Sequence, residues 1–216
     1  TYRKAFFGDY KTTASLVYEG RSGRPFSYVF WNDANGDSRS FNDLLYVPTG
    51  PGDVVFRDVT VDGRYYSAAD QEAAFFEWLA AHPELAAYRG TYAPANGFRS
   101  GWTNSFDVRI SQELPGFMEG HKSSITLDIM NVGNLLNKKW GQIKDAGFNA
   151  NLGVANFAGI CTADAVGSGA CPAGSEGKYV YRFTGAQDHQ IQEVNGDGVN
   201  TGVSRWSAQL TFRYEF

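Results

Sequence analysis

The last twelve residues, Arg205-Trp206-Ser207-Ala208-Gln209-Leu210-Thr211-Phe212-Arg213-Tyr214-Glu215-Phe216, alternate without a break, apolar at even positions and polar at odd ones. A period of two is the period of a strand, so this segment reads as a β-strand with one apolar and one polar face. The same pattern recurs upstream. Ile125, Leu127 and Ile129 alternate with Ser124, Thr126 and Asp128 until parity fails at Met130-Asn131-Val132. Trp102, Phe106, Val108 and Ile110 oppose Thr103, Ser105, Asp107, Arg109 and Ser111. Thr12, Ala14, Leu16 and Tyr18 oppose Lys11, Thr13, Ser15, Val17 and Glu19. Gly20-Arg21-Ser22-Gly23-Arg24-Pro25 then interrupts, as a kink or bulge does, and the parity is read as resuming at Phe26, Tyr28 and Phe30. With the end of another strand over Thr1 to Ala5, the expectation is an all-β chain of four to five antiparallel strands.

Alternation suits a soluble sandwich as well as a membrane barrel. The connections separate the two. They run five residues (6–10), seventy (32–101), eight (115–122) and sixty-seven (138–204), so short and long ends fall on opposite sides of the sheet. Outer-membrane barrels pair short periplasmic turns with long extracellular loops, which predicts part of a large transmembrane β-barrel whose two long loops lie outside. In a barrel the polar faces, with Lys11, Glu19, Asp107, Arg109, Glu113, Asp128, Arg205, Arg213 and Glu215, line the lumen. A symmetric eight-residue turn sets Arg109 opposite Asp128 as a lumen-facing ion pair, and Glu113 opposite Ser124. Tyr18, Trp102 and Trp206, near strand ends, suit interfacial girdles or, alternatively, core packing.

In the first long loop, Ser67 and Asp70 form an N-terminal capping pattern ahead of helix formers over 68–81, with Phe75, Phe76 and Leu79 on one face. A short helix is expected there, as a lid or as loop packing, and a second turn can start at Pro83. The other connection carries Cys161 and Cys171, ten positions apart among Gly, Ala and Ser, with no second cysteine pair. A local disulfide in an oxidising compartment is expected, with two free thiols as the alternative.

Composition bounds the function. Nineteen Lys and Arg against 23 Asp and Glu give a net charge of −4, which excludes a basic nucleic-acid binder. The longest apolar run, 73–81, is nine residues with a glutamate inside it, far from the ~20 that a spanning helix needs. The chain opens on Thr1 without a charged segment followed by an apolar one, and reads as a mature or truncated chain. His82, His121 and His189 fall in expected loops or turns, and no hydrolase, zinc-protease or phosphate-loop motif occurs, so no enzyme is expected. Asp33, Asn35 and Asp37 stand on alternate residues as at the start of a calcium loop, with Asn42 and Asp43 following. Ser38 replaces the glycine and Leu44 the bidentate glutamate, so the alternatives in the 32–43 loop are a structural calcium ion and a plain turn. Asn195, Asp197 and Asn200 form a weaker set.

Phe106-Asp107-Val108-Arg109, the tract Leu127-Asp128-Ile129-Met130-Asn131-Val132-Gly133-Asn134-Leu135-Leu136-Asn137-Lys138-Lys139-Trp140 and the terminal Arg213-Tyr214-Glu215-Phe216 together resemble the C-terminal end of a TonB-dependent outer-membrane receptor. Tyr18-Glu19-Gly20-Arg21-Ser22-Gly23-Arg24-Pro25, the 32–46 loop and Ser111-Gln112-Glu113-Leu114-Pro115-Gly116-Phe117 are similar to its Oar-like branch. The resemblance covers most of the chain and is loosest over 51–64 and 150–203. It implies a 22-stranded barrel with a plugged lumen, of which residues 1–216 are a C-terminal fragment without the plug domain and earlier strands. It implies residence in the bacterial outer membrane and active transport of a ligand bound by extracellular loops and lumen. The implied partners are outer-membrane lipid, the TonB energy-coupling complex acting through the plug, and the barrel-assembly machinery. Leu210, Phe212, Tyr214 and Phe216 resemble the C-terminal signal read by that machinery. Oar-like members are associated with large or protein-like cargo more than with iron chelates, which leaves the ligand class open. Two other readings stand beside transport: a non-transporting surface barrel acting in adhesion or partner binding, and a soluble secreted β binding module.

Overall fold

In the computed structural model, which describes residues 1–147, 149–188, 190–191 and 204–216, the chain is mostly strand with few helices. It divides into two compact units: Thr1–Gly23 with Gly101–Asp145 and Gln190–Phe216, and Arg24–Ser100 with Ala146–His189.

The first unit is an antiparallel sheet of β1 (Tyr2–Phe7), β2 (Tyr10–Arg21), β3 (Thr103–Pro115), β4 (Lys122–Met130) and β5 (Ser207–Glu215), whose spatial order is the chain order. Two tight turns close one end. Gly8, at φ +59°, makes the β1–β2 hairpin with Asp9, a conformation that favours glycine. The β3–β4 turn is held by the Gly116 N–H on the His121 carbonyl at 3.1 Å. Both long connections leave from the opposite end, where Arg21 pairs with Thr103 and Met130 with Ser207.

Register turns the alternating sequence into two chemically distinct faces. Ala14, Ile110, Leu127 and Leu210 form one cross-strand row, and Leu16, Val108, Ile129 and Ala208 the next. On the other face, Ser15, Arg109, Asp128 and Gln209 form a row beside Thr13, Ser111, Thr126 and Thr211. The apolar rows are not a core: Leu16 is 62 % exposed, Phe212 57 % and Leu210 72 %. Among the described residues, every buried hydrophobic side chain belongs to the second unit.

Two asparagines tie down the end of β4. Asn131, at φ +52°, breaks the strand and donates its backbone N–H to Asp107 at 2.8 Å and its side-chain amide to the Gly141 carbonyl at 3.1 Å. Asn134, in the short helix Val132–Leu136, donates to the carbonyls of Lys138 and Trp140, both at 2.9 Å, and accepts the Trp206 N–H at 3.3 Å. Both residues are buried, where such bonds count for more than they would in water.

The second unit is built from both long connections. The strand Pro25–Val29 pairs antiparallel with Phe98–Arg99 and parallel with Asn151–Gly153. Tyr179–Arg182 lies between Asn156–Ile160 and, in parallel, Val55–Phe56. These parallel pairings join the two connections around one core that includes Tyr28, Phe56, Phe75, Leu85, Leu152 and Tyr181. Helix α1 (Ala68–Ala80) starts where Ser67 Oγ accepts the Asp70 N–H at 3.0 Å. It buries Gln71, Phe75 and Leu79 and so serves as packing.

Three expectations are corrected. Phe26, Tyr28 and Phe30 do not continue β2, which ends at Arg21; Phe26 to Val29 are all buried irrespective of parity, because that strand is covered on both faces. Helix is not confined to one loop: besides α1 and the 3₁₀ turn Pro83–Tyr88, Val132–Leu136 and Ala163–Gly167 are helical. Phe76 is only half-buried, and the third inward position of α1 belongs to Gln71.

Candidate functional site

The second unit carries a cleft of about 630 Å³, within the range that holds a small ligand or one or two peptide side chains. Its apolar wall comes from strands. Phe30 follows Pro25–Val29, Phe157 and Ile160 lie on Asn156–Ile160, and Tyr179 and Tyr92 face each other across neighbouring segments. The rings pack edge-on or tilted: Phe30 to Phe157 at 5.9 Å, Phe157 to Tyr179 at 5.5 Å, and Tyr46 to both Tyr179 and Tyr92 at 5.3 and 5.7 Å. The Tyr92 and Tyr179 hydroxyls share a hydrogen bond of 2.6 Å. That bond and partial burial push the Tyr92 phenol up to about 12, so it stays protonated at neutral pH. Asn32 fixes Phe157 by bonding both its N–H and its carbonyl, each at 2.8 Å.

The polar rim comes from the 32–43 loop, through Asn35, Asn42 and Asp43. Asp43 Oδ2 accepts the Ala34 N–H at 2.6 Å. Asp33 takes the backbone N–H groups of Gly36, Asp37 and Ser38 at 2.7, 3.2 and 2.7 Å, which makes it the organiser of the turn. Asp37 accepts from the Arg39 N–H at 2.8 Å and from the Asn35 and Asn42 amides at 3.4 and 3.3 Å. These bonds, the Arg39 N–H first, hold the exposed Asp37 carboxyl below the usual carboxylate range. Asp33, Asn35 and Asp37 thus spend oxygens on the loop itself, and among the described residues no three His, Cys, Asp or Glu side chains gather to hold a metal ion. Asn195, Asp197, Asn200 and His189 lie outside the described residues.

The remaining expected sites fall elsewhere. Cys161 and Cys171 are joined, with S–S 1.96 Å and Cα–Cα 6.0 Å, and the bridge is buried with Val55 and Val180. Arg57 Nη2 donates to Cys171 Sγ at 2.7 Å. On the polar face of the sheet, Arg109 Nε and Nη2 donate to the two Asp128 oxygens at 2.6 and 3.1 Å. Ser111 and Thr126 bond beside them at 2.9 Å, and Glu113 accepts the Lys11 N–H at 3.1 Å. In the C-terminal strand, Leu210, Phe212 and Phe216 are exposed, whereas Tyr214 is half-buried. Its ring stacks on Phe117 at 5.3 Å, and its hydroxyl bonds His121 Nδ1 at 2.7 Å and accepts the Phe117 N–H at 3.2 Å. Tyr214 therefore anchors the β3–β4 turn. Trp102 and Trp206 sit just outside β3 and β5 and, like Tyr18, are exposed rather than packed in a core.

Sequence reasoning missed the cleft, because Tyr92, Phe157 and Tyr179 belong to segments without alternation. It also missed Gln71, a buried amide in α1 that donates to the Arg57 carbonyl at 2.8 Å and accepts the Phe183 N–H at 3.1 Å. A glutamine on the apolar stripe of a helix was the available signal. Comparison of the chain with protein-family models, curated proteins and solved structures finds no match.

Proposed function

We propose that this chain is the C-terminal barrel portion of an outer-membrane receptor of the TonB-dependent type, with the sheet embedded in lipid and the two long connections as its extracellular, ligand-binding loops. The observation that carries the reading is the five-stranded sheet with a solvated apolar face. Among the described residues no core covers its rows of Leu16, Ile110, Leu127, Leu210 and Phe212, and lipid would satisfy them. The opposite face, ion-paired and hydroxyl-rich, suits a wet lumen. Aromatic residues mark both ends of the apolar face, with Tyr18, Trp102 and Trp206 toward the long connections and Phe6, Phe212 and Phe216 toward the turns. An open sheet edge on β1 and on β5 is an aggregation hazard unless further strands pair there, as they do in a closed barrel.

Energy-coupled transport follows from the sequence resemblance. A barrel that binds partners without transport has the same sheet and lacks the plug. The test is peptide mapping and intact mass of the native protein that contains residues 204–216, after extraction of membranes with and without detergent. The expected result is a polypeptide well above 23.7 kDa, released only by detergent, with a plug domain upstream. Detergent dependence without a plug supports the adhesive barrel instead. A 23.7 kDa protein that stays in aqueous buffer overturns the membrane reading in favour of a soluble binding module.

A further inference from the structure

We infer that the cleft of the second unit binds an organic cation on an apolar stem: an ammonium or guanidinium group, carried by a small molecule or by a Lys or Arg side chain of a peptide. The inference extends the receptor reading by naming the chemistry of its ligand, and rests on that reading for its place outside the cell. It begins from the concave aromatic wall. Phe157, Tyr92 and Tyr179 present ring faces and edges to a space of about 630 Å³, and Leu44 and Ile160 extend the apolar lining. Such a wall takes an alkyl or aromatic stem through burial, and it attracts a cation through the ring quadrupoles.

Charge then selects among apolar ligands. Among the described residues the only charged side chain in the lining is the Asp43 carboxylate, and the neighbouring Asn35 and Asn42 offer amide oxygens. No Lys or Arg lines the cleft among the described residues. The loop that supplies the rim, 32–43, holds Asp33, Asp37 and Asp43 against Arg39, a further bias toward positive ligands. An anionic ligand meets a like charge at the rim and finds no cation to pair with. The Tyr92 phenol, bonded to Tyr179 and pushed up to about 12, stays neutral at physiological pH and adds no charge to the aromatic wall.

The cleft is also pre-formed. Asp43 is held by the Ala34 N–H, Asn32 clamps Phe157, and Tyr46 packs on both cleft tyrosines. Little ordering is left for binding to impose, which favours a small ligand over a broad partner surface.

The experiment uses the full-length protein in detergent micelles, or in buffer should it prove water-soluble, and measures Kd by calorimetry. The probes are n-butylammonium, its neutral isostere n-butanol, and the capped tripeptides Ala-Lys-Ala, Ala-norleucine-Ala and Ala-Glu-Ala. The expected result is that each cation binds about tenfold or more tighter than its neutral counterpart, with the glutamate peptide weakest. Asp43→Asn removes that preference; Asn42→Asp increases it. Both variants keep an oxygen at the rim, and the paired gain and loss separates a charge effect from misfolding. Equal binding by butylammonium and the lysine peptide assigns a small cation; tighter binding by the peptide assigns a peptide cargo. Equal affinity for charged and neutral probes, or cation binding that neither variant alters, overturns the inference. A protein that needs no detergent yet prefers cations rejects the receptor reading and leaves the cleft chemistry standing.

Discussion

The two units contain similar aromatic and aliphatic residues and treat them in opposite ways. In the second unit Phe75 and Leu45 are fully buried and Tyr28 is 1 % exposed; in the sheet Leu210 is 72 % exposed and Phe212 57 %. The difference lies in patterning. The sheet strands alternate, so every second residue must face one side, and a single sheet has nothing of its own to cover that side. The loop-unit strands are short, and Pro25–Val29, Val55–Phe56 and Tyr179–Arg182 bury consecutive residues, on both faces, under neighbouring segments. One region therefore has its own core, and the other leaves its apolar face exposed.

The comparison can be broken at Phe75. Its ring touches Phe56, Phe76, Trp78, Tyr181 and Phe183, with centroids 5.4 to 6.0 Å away. Phe75→Ala is expected to cost about 3–5 kcal/mol. Hydrogen exchange should show lost protection in Pro25–Val29 and Tyr179–Arg182 with the sheet strands unchanged. Equal loss in both units would mean that the sheet depends on the loop unit's core.

Leu210 sharpens the other half. It lies mid-strand opposite Leu127, so Leu210→Arg is expected to cost about 2–4 kcal/mol when the face meets lipid, read as reduced assembly into vesicles. Gln209→Arg, one residue away on the polar face, should be close to silent. In water both substitutions should stay within about 0.5 kcal/mol, and that outcome would remove the lipid assignment.

The smallest expected effect is a pH dependence confined to the loop unit. The Thr49 N–H at 2.8 Å, and then the Tyr46 hydroxyl at 3.1 Å, hold the Asp53 carboxyl below the ordinary carboxylate range. A depressed carboxyl contributes stability in full at neutral pH and loses it as pH falls through the lowered value. Acid melts of the loop unit should therefore be steeper for the native protein than for Asp53→Asn; the sheet strands should give the same curve for both.

Much of the sheet was legible because its signal is local. The alternation of 205–216 corresponds to β5, the failure of parity at Met130-Asn131-Val132 marks the left-handed Asn131 that ends β4, and the short 115–122 connection corresponds to the register that faces Arg109 with Asp128. The Ser67 and Asp70 pattern sits at the start of α1. The loop unit was less legible because its decisive pairs are distant. Val29 meets Gly153, Phe56 meets Tyr181, and Tyr92 bonds Tyr179 across 87 residues. Phe26, Tyr28 and Phe30 misled because a strand buried on both faces can still carry aromatics at every second position.

The sequence by itself determined the strand periods, the turns, the helix start and the segregation of polar from apolar faces, since each depends on neighbours a few residues apart. Only the tertiary structure decided that the two long connections share one core, that Tyr214 is drawn into the β3–β4 turn, and that four aromatic residues from separate segments wall a cleft rimmed by Asp43. Parallel pairing and core packing join residues with no fixed separation along the chain, and no local period records which surfaces will meet.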